Sequence, residues 1–180
     1  MRGARVPRLA AFLGFLALSG CSSLPFSSSR PAQPCPAAVI LRPLANTAVF
    51  APGVEGEPRP DNVAFYGVLS EVDHNCDYSG DAVRMTLDVI VIGQRGPAAK
   101  GDSVDLTYFV AVTGPNQQVL GKKKFPVHIA FGPDQIRAGV NDHYEETIAL
   151  GGRKGSEITL DLGFQQSQQV VEFYKHFRGR

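Results

Sequence analysis

Metal and acid–base chemistry needs donor side chains held close together, and the donors of this chain are dispersed. His74, His128, His143 and His176 stand far apart, and none belongs to a His-Glu-x-x-His or Cys-x-x-Cys spacing. The densest run of titratable groups is Asp142-His143-Tyr144-Glu145-Glu146. Alternation along a strand sends Glu145 and Glu146 to opposite faces, so they form no close carboxylate pair, and the run reads as a solvated strand face. Gly151-Gly152-Arg153-Lys154-Gly155-Ser156 lacks the Gly-x-x-x-x-Gly-Lys-Ser/Thr spacing of a phosphate loop and opens no helix, which leaves a hairpin loop. Lys122-Lys123-Lys124 offers charge to anionic headgroups or glycan phosphates, but lysines on a strand also block edge-to-edge aggregation, and that is the preferred reading. No metal ligand and no cofactor is expected.

Ser103 sits in Gly101-Asp102-Ser103-Val104, which resembles the nucleophile block of GDSL-type hydrolases. Those enzymes resemble α/β folds in which the serine precedes a helix and an Asp-x-x-His follows later. Here Ser103 opens a strand and no such motif lies downstream; a Gly-x-Ser-x-Gly elbow is missing too. The expectation is a polar turn, no catalytic residue and no enzyme activity.

The cysteines are more informative. Leu18-Ser19-Gly20-Cys21 ends a leader in which Arg2, Arg5 and Arg8 form a positive n-region and Leu9 to Leu18 an apolar h-region. An apolar run of about ten residues is short of the roughly 20 needed to span a bilayer. The pattern resembles that of bacterial lipoproteins. The resemblance implies that the Cys21 thiol is acylated, that cleavage makes Cys21 the new N-terminus, and that its amine is then acylated too. Two or more acyl signals give stable anchoring where one gives marginal binding. No Arg-Arg pair is present in the leader, which favours export in the unfolded state. Ser22 stands where an inner-membrane retention signal has Asp, which in such lipoproteins implies the outer membrane, facing the periplasm. With Cys21 used in this way, Cys35 and Cys76 remain as one even pair in an oxidising compartment and are expected to be bridged.

Composition sets the frame for these residues. Three of the eighteen basic residues and none of the seventeen acidic ones lie in residues 1–20, which leaves fifteen basic against seventeen acidic, a net charge of −2. Nothing in that balance provides the basic footprint of a nucleic-acid binder. Gly and Pro are abundant, with 19 and 13 residues, and Trp is absent, a balance that favours strands and turns. The expected organisation is a signal peptide over 1–20, a lipidated Ser/Pro-rich tether over 21–34, one β domain over 35–165 and a helix over 166–180.

Within the β domain apolar residues recur with period two between turn residues. Expected strands run over Ala37 to Leu41, Thr47 to Phe50, Val63 to Val72, a stretch containing Val83, Met85, Leu87, Val89 and Val91 as its core face, and Val104 to Val112. Gly114-Pro115-Asn116 then turns into Val119 to Phe131, where Val119, Phe125, Val127, Ile129 and Phe131 share one parity; these two strands are expected to form a hairpin. Val140 to Leu150 and Glu157 to Phe164 are expected to be a final pair. Strands at this spacing without intervening helices imply an all-β, antiparallel, immunoglobulin-like sandwich of about seven to eight strands. At the end the period changes to that of a helix. Val170, Phe173, Tyr174 and Phe177 fall at i, i+3, i+4 and i+7, with Ser167 as N-cap and Lys175, Arg178 and Arg180 at the C-terminal end. So short a helix must bury its stripe, either against its own sandwich, the favoured alternative, or in a partner's groove.

Gly96-Pro97-Ala98-Ala99, Tyr108-Phe109-Val110-Ala111-Val112-Thr113, Phe125-Pro126-Val127, Cys35-Pro36 and the leader together resemble a family of uncharacterised Gram-negative lipoproteins. The likeness spans most of the chain, and its motifs are strand and turn residues. It implies an envelope location and transfers no catalytic or binding residue. The expected role is a membrane-anchored module with an envelope protein partner, engaged through a sheet edge or loops. A glycan- or lipid-binding module is the alternative, with a concave pocket lined by aromatics such as Phe65, Tyr66, Tyr108 and Phe109.

Overall fold

The computed structural model describes residues 33–54 and 57–177. The leader, Cys21, the tether before residue 33, Arg178 and Arg180 lie outside the described residues. Eight strands and one helix follow in order: β1 (Ala37–Ile40), β2 (Asn46–Phe50), β3 (Val63–Ser79), β4 (Ala82–Arg95), β5 (Ser103–Thr113), β6 (Val119–Ala130), β7 (Arg137–Ala149), β8 (Thr159–Phe164) and α1 (Gln168–His176). They form two four-stranded sheets, in the orders β1-β8-β5-β6 and β2-β3-β4-β7.

The core between the sheets follows from period-two patterning. Val83, Met85, Leu87, Val89 and Val91 on β4 have no exposed surface at all, and they meet Leu106, Tyr108 and Val110 of β5 and Leu160, Leu162 and Phe164 of β8. Each such side chain contributes about 1.5 to 3 kcal/mol relative to leaving it in water. In β3 the inward parity changes part-way. Phe65 and Leu69 face in, a bulge lies between Leu69 and Glu71, and Val72, Cys76 and Tyr78 take over beyond it. The bulge therefore returns the inward parity to Val72, Cys76 and Tyr78, which are partly buried, while His74 between them is exposed.

Cys76 lies near the end of that strand and is bridged to Cys35, with Cα atoms 5.7 Å apart. The Tyr78 hydroxyl donates to the Pro34 carbonyl at 2.6 Å beside it. Bridge and hydrogen bond together tie the segment entering β1, in one sheet, to β3 in the other. Closing a loop of this size, 41 residues of separation, is worth roughly 4 kcal/mol in the chain-entropy account.

Three expectations are corrected. First, the sandwich is not wholly antiparallel: β1 runs parallel to β8, from Ala37↔Thr159 to Ile40↔Leu162. Second, β7 and β8 are not a hairpin. β7 pairs with β4 from Ala82↔Ala149 to Gln94↔Arg137, whereas β8 lies between β1 and β5 in the other sheet. The reason is burial, because Leu160, Leu162 and Phe164 are almost fully enclosed and β8 needs a neighbour on each side. Third, Val119 does not face the core. The β5–β6 hairpin is present, but its register passes from Val112↔Gly121 to Thr113↔Val119, so Leu120 is an extra residue and Val119 turns outward, 60% exposed.

The crossover from β4 to β5 is pinned to the start of β3. Gly96 N donates to the Ala64 carbonyl at 2.7 Å and Ala98 N to the Val63 carbonyl at 3.0 Å. A Cβ at Gly96 would press into the Val63 backbone carbonyl, which cannot yield without breaking this contact. Gly96→Ala is therefore expected to cost about 2 kcal/mol, lowering the melting temperature by about 4 to 8 °C. Thermal unfolding followed by circular dichroism checks this, and an unchanged midpoint would show that the crossover is free to move.

Candidate functional site

The C-terminal helix builds the most developed surface feature. Ser167 caps it, its Oγ accepting from Val170 N at 3.3 Å. Val170 and Phe173 are buried, Tyr174 and Phe177 half-buried, and the stripe lies on the outer face of the β2–β3 edge against Ala48, Phe50, Val63 and Tyr66. Phe173 meets Phe50 edge-to-face at 5.5 Å and stacks on Phe177 at 5.2 Å. The Tyr174 hydroxyl donates to the Thr47 carbonyl at 3.1 Å, and Gln166 Nε2 donates to the Asn46 carbonyl at 2.7 Å. These bonds occupy backbone acceptors of β2 and hold the helix to that strand from just before its start and from near its end.

Between α1, β3, β4 and the turn at Arg42–Leu44 lies an open groove of about 1390 Å³. Tyr66, Val68 and Gln94 line it from the sheet, Tyr174 and Phe177 from the helix, and Leu44 from the turn. Burial raises the Tyr174 phenol to about 12, with the neighbouring Tyr66 adding to the shift. Burial, then the charge of Asp61, also raises Tyr66. Both phenols are thus neutral hydrogen-bond donors at physiological pH. Amide groups of Asn46, Gln94 and Gln166, the cations Arg42 and Lys175 and the imidazole of His176 complete the lining. Glu172 engages two of these, at 2.7 Å from Lys175 Nζ and 3.2 Å from His176 Nε2, which lowers its own carboxyl below the usual range. The arrangement offers flat aromatic contact and neutral hydrogen bonds. The acid–base pairing described beside it, Glu172 with His176 and Lys175, lies on the exposed face of the helix.

Of the aromatics expected to line a pocket, only Tyr66 does so. Phe65 and Tyr108 belong to the core between the sheets. Phe109, on the outer face of β5, is covered by Leu44 and by Lys122, whose Nζ lies 3.7 Å from the ring centre. The groove residues that sequence reasoning missed, Arg42, Asn46, Gln94 and Gln166, carry no local motif; the one signal available was the amide pair Gln165-Gln166 ahead of the N-cap.

Other chemistry-bearing residues are distributed over the remaining surface. Ser103, Asp105 and His128 share the outer face of the β5–β6 pair, with His128 Nδ1 2.7 Å from Asp105 Oδ1. No hydrogen bond joins Ser103 to that pair, and Asp105 is 84% exposed, so no enclosed nucleophile is assembled there. The 142–146 run divides instead of forming one solvated face. His143 and Glu145 point to solvent, while Asp142, Tyr144 and Glu146 turn toward the seam between β6 and β7. There Asp142 accepts from the Tyr108 hydroxyl at 2.7 Å, and Glu146 pairs with Lys123 at 2.9 Å. Desolvation, then the Asp142 hydrogen bond, holds the Tyr108 phenol far above its ordinary value. Among the described residues no group of three or more His, Cys, Asp or Glu side chains is placed to hold a metal ion. No family model, curated protein or solved structure matches this chain.

Two outcomes follow from this geometry. Phe173→Ala is expected to cost about 3 kcal/mol, and because Phe173 belongs to a cluster separate from the inter-sheet core the loss should be local. Hydrogen exchange should quicken across α1 while β4 amides keep their protection, and uniform loss of protection would contradict this. The second concerns His143, whose hydrogen bond to Asp88, the largest cause, and proximity to Glu145 raise its pKa above 6.5. The folded state thus holds that proton more tightly than the unfolded chain. Any stability from the pair is present below pH 6.5 and fades as pH rises through the higher folded value. An NMR titration should show His143 shifted upward in the wild type and returned toward 6.5 in Asp88→Asn.

Proposed function

We propose that this chain is a non-catalytic, lipid-anchored module of the cell envelope that grips an extended segment of a partner protein in the groove beside α1. The groove carries the reading. At about 1390 Å³ it exceeds the 300 to 1,000 Å³ usual for small-molecule sites, and its aromatic and amide lining suits the side chains and backbone of an extended chain. The bridge between Cys35 and Cys76 fits an oxidising compartment such as the periplasm. Among the described residues no helix is long and apolar enough to cross a membrane, and in this reading the leader and Cys21 supply the attachment. The resemblance to Gram-negative lipoproteins and Ser22 after the cysteine favour the outer membrane. The immunoglobulin-like character belongs to this reading at the level of architecture, two packed sheets whose connections cross between them, since the strand order is the chain's own.

One observation favours a second reading. Tyr66 and Tyr174 stand among the amides of Asn46, Gln94 and Gln166, a combination that also suits sugar rings, with stacking on the aromatic faces and hydroxyls held by the amides.

Position-specific photocrosslinking in cells tests the function. A crosslinker at Gln94 should give a discrete protein adduct and one at Asp105, on the other sheet, should not; Tyr66→Ala should weaken the Gln94 adduct at least tenfold. An adduct that dissolves only on glycan digestion would shift the assignment to the second reading, and equal adducts from both positions would remove the groove from consideration. In parallel, Cys21→Ser should abolish fatty-acid labelling and membrane fractionation, and retained labelling would refute the anchor.

A further inference from the structure

Five large apolar side chains are exposed among the described residues: Val39, Val119, Leu120, Ile136 and Val171. Three of the five lie at one end of one sheet, Val39 on its edge strand β1 and Val119 and Leu120 on its other edge strand β6. Register puts Ala37, Thr159, Thr113 and Val119 in one row across β1, β8, β5 and β6, and Val39, Asp161, Ala111 and Lys122 in the next. Val39 and Val119 share the outer face of this sheet, and Leu120 is the bulged residue beside Val119. Lys122 and Lys124 flank them on the same face, Lys124 opposite Phe109. The one acid within these two rows, Asp161, accepts a hydrogen bond from Thr113 Oγ1 at 2.9 Å. An apolar rim with an adjacent pair of lysines is the composition of a surface that rests on anionic lipid.

Placement identifies the occupant. This is the end of the sandwich where the chain enters β1, fastened there by Cys35–Cys76 and by Tyr78 on Pro34. Eleven residues lie between Cys21 and Gln33, a reach of about 40 Å at full extension. A domain confined that close to a bilayer experiences a high effective concentration of headgroups, so a modest patch is enough. The groove lining on the sheet, Tyr66, Val68 and Gln94, belongs to the outer face of the other sheet, and Tyr66 is ten residues along β3 from Cys76.

We propose that the tether end of the β1-β8-β5-β6 outer face, with Val39, Val119, Leu120, Lys122 and Lys124, docks on the anionic surface of the bilayer to which the chain is anchored. Docking leaves the Tyr66 and Gln94 side of the groove, on the other sheet, facing away from the lipid. The proposal deepens the lipid-anchored reading, and its test leaves out the anchor, so that failure of one is visible apart from failure of the other.

The polypeptide from residue 21 onward, carrying Cys21→Ser, is mixed with vesicles of phosphatidylethanolamine and phosphatidylglycerol and sedimented. Binding is expected with these vesicles and lost with purely zwitterionic ones. Lys122→Gln and Lys124→Gln should each reduce partitioning about fivefold, and Val119→Ser with Leu120→Ser should reduce it further, with melting temperatures unchanged. In the unsubstituted protein, a paramagnetic lipid should broaden amide signals of Val39, Val119 and Leu120 and spare Tyr66 and Gln94. The proposal is overturned by any of three results: no binding to the anionic vesicles, binding indifferent to the lysine substitutions, or broadening centred on Tyr66 and Gln94.

Discussion

Strand β4 excludes water along its whole inner face, and the rest of the sandwich is arranged around that exclusion. Its five enclosed side chains need a second sheet above them, supplied by β5 and β8, and it has hydrogen-bonded neighbours on both edges, β3 and β7. Short strands and turns then act as closures. β2 covers the first half of β3, and the disulfide holds β1 beside the second half. At the opposite side, between β6 and β7, the core ends in polar groups that are all engaged: Tyr108 with Asp142 and Lys123 with Glu146. Around them Phe125 stacks on Tyr108 at 5.2 Å and meets Tyr144 edge-on at 4.7 Å. A buried phenol without a partner would be costly; with Asp142 it becomes a strut across the seam.

How far the fold was legible in the residues depended on whether the deciding interaction was local. β4 could be read residue by residue, because strict alternation of Val83, Met85, Leu87, Val89 and Val91 has no competing interpretation. The β5–β6 hairpin was legible from Gly114-Pro115-Asn116, but the inserted Leu120 was not, since nothing in Val119-Leu120-Gly121 marks which residue leaves the ladder. The glycines of 151–155 looked like a hairpin turn and are a crossover between sheets. What decides that is the enclosure of β8 on both sides, a property of strands distant in sequence.

The candidate site divides in the same way. The helical stripe from Val170 to Phe177 was visible from its spacing, as was its need for burial. The groove beside it was not, because Arg42, Tyr66, Gln94 and Phe177 come from four separate parts of the chain and meet only after both sheets have formed. Phe65, Tyr108 and Phe109 were equally plausible pocket aromatics by type. Parity removes the first two to the core, and the turn at Arg42–Leu44 covers the third.

The position of α1 in chain order has a consequence for assembly. The helix follows every strand, yet it supplies one wall of the groove and fixes that wall through backbone acceptors of β2, more than a hundred residues earlier. Every described strand precedes this wall in chain order, so a chain cut after β8 would hold all eight strands and lack the wall. The groove therefore exists only while α1 is seated, and fraying of that helix would open it without disturbing the core between the sheets.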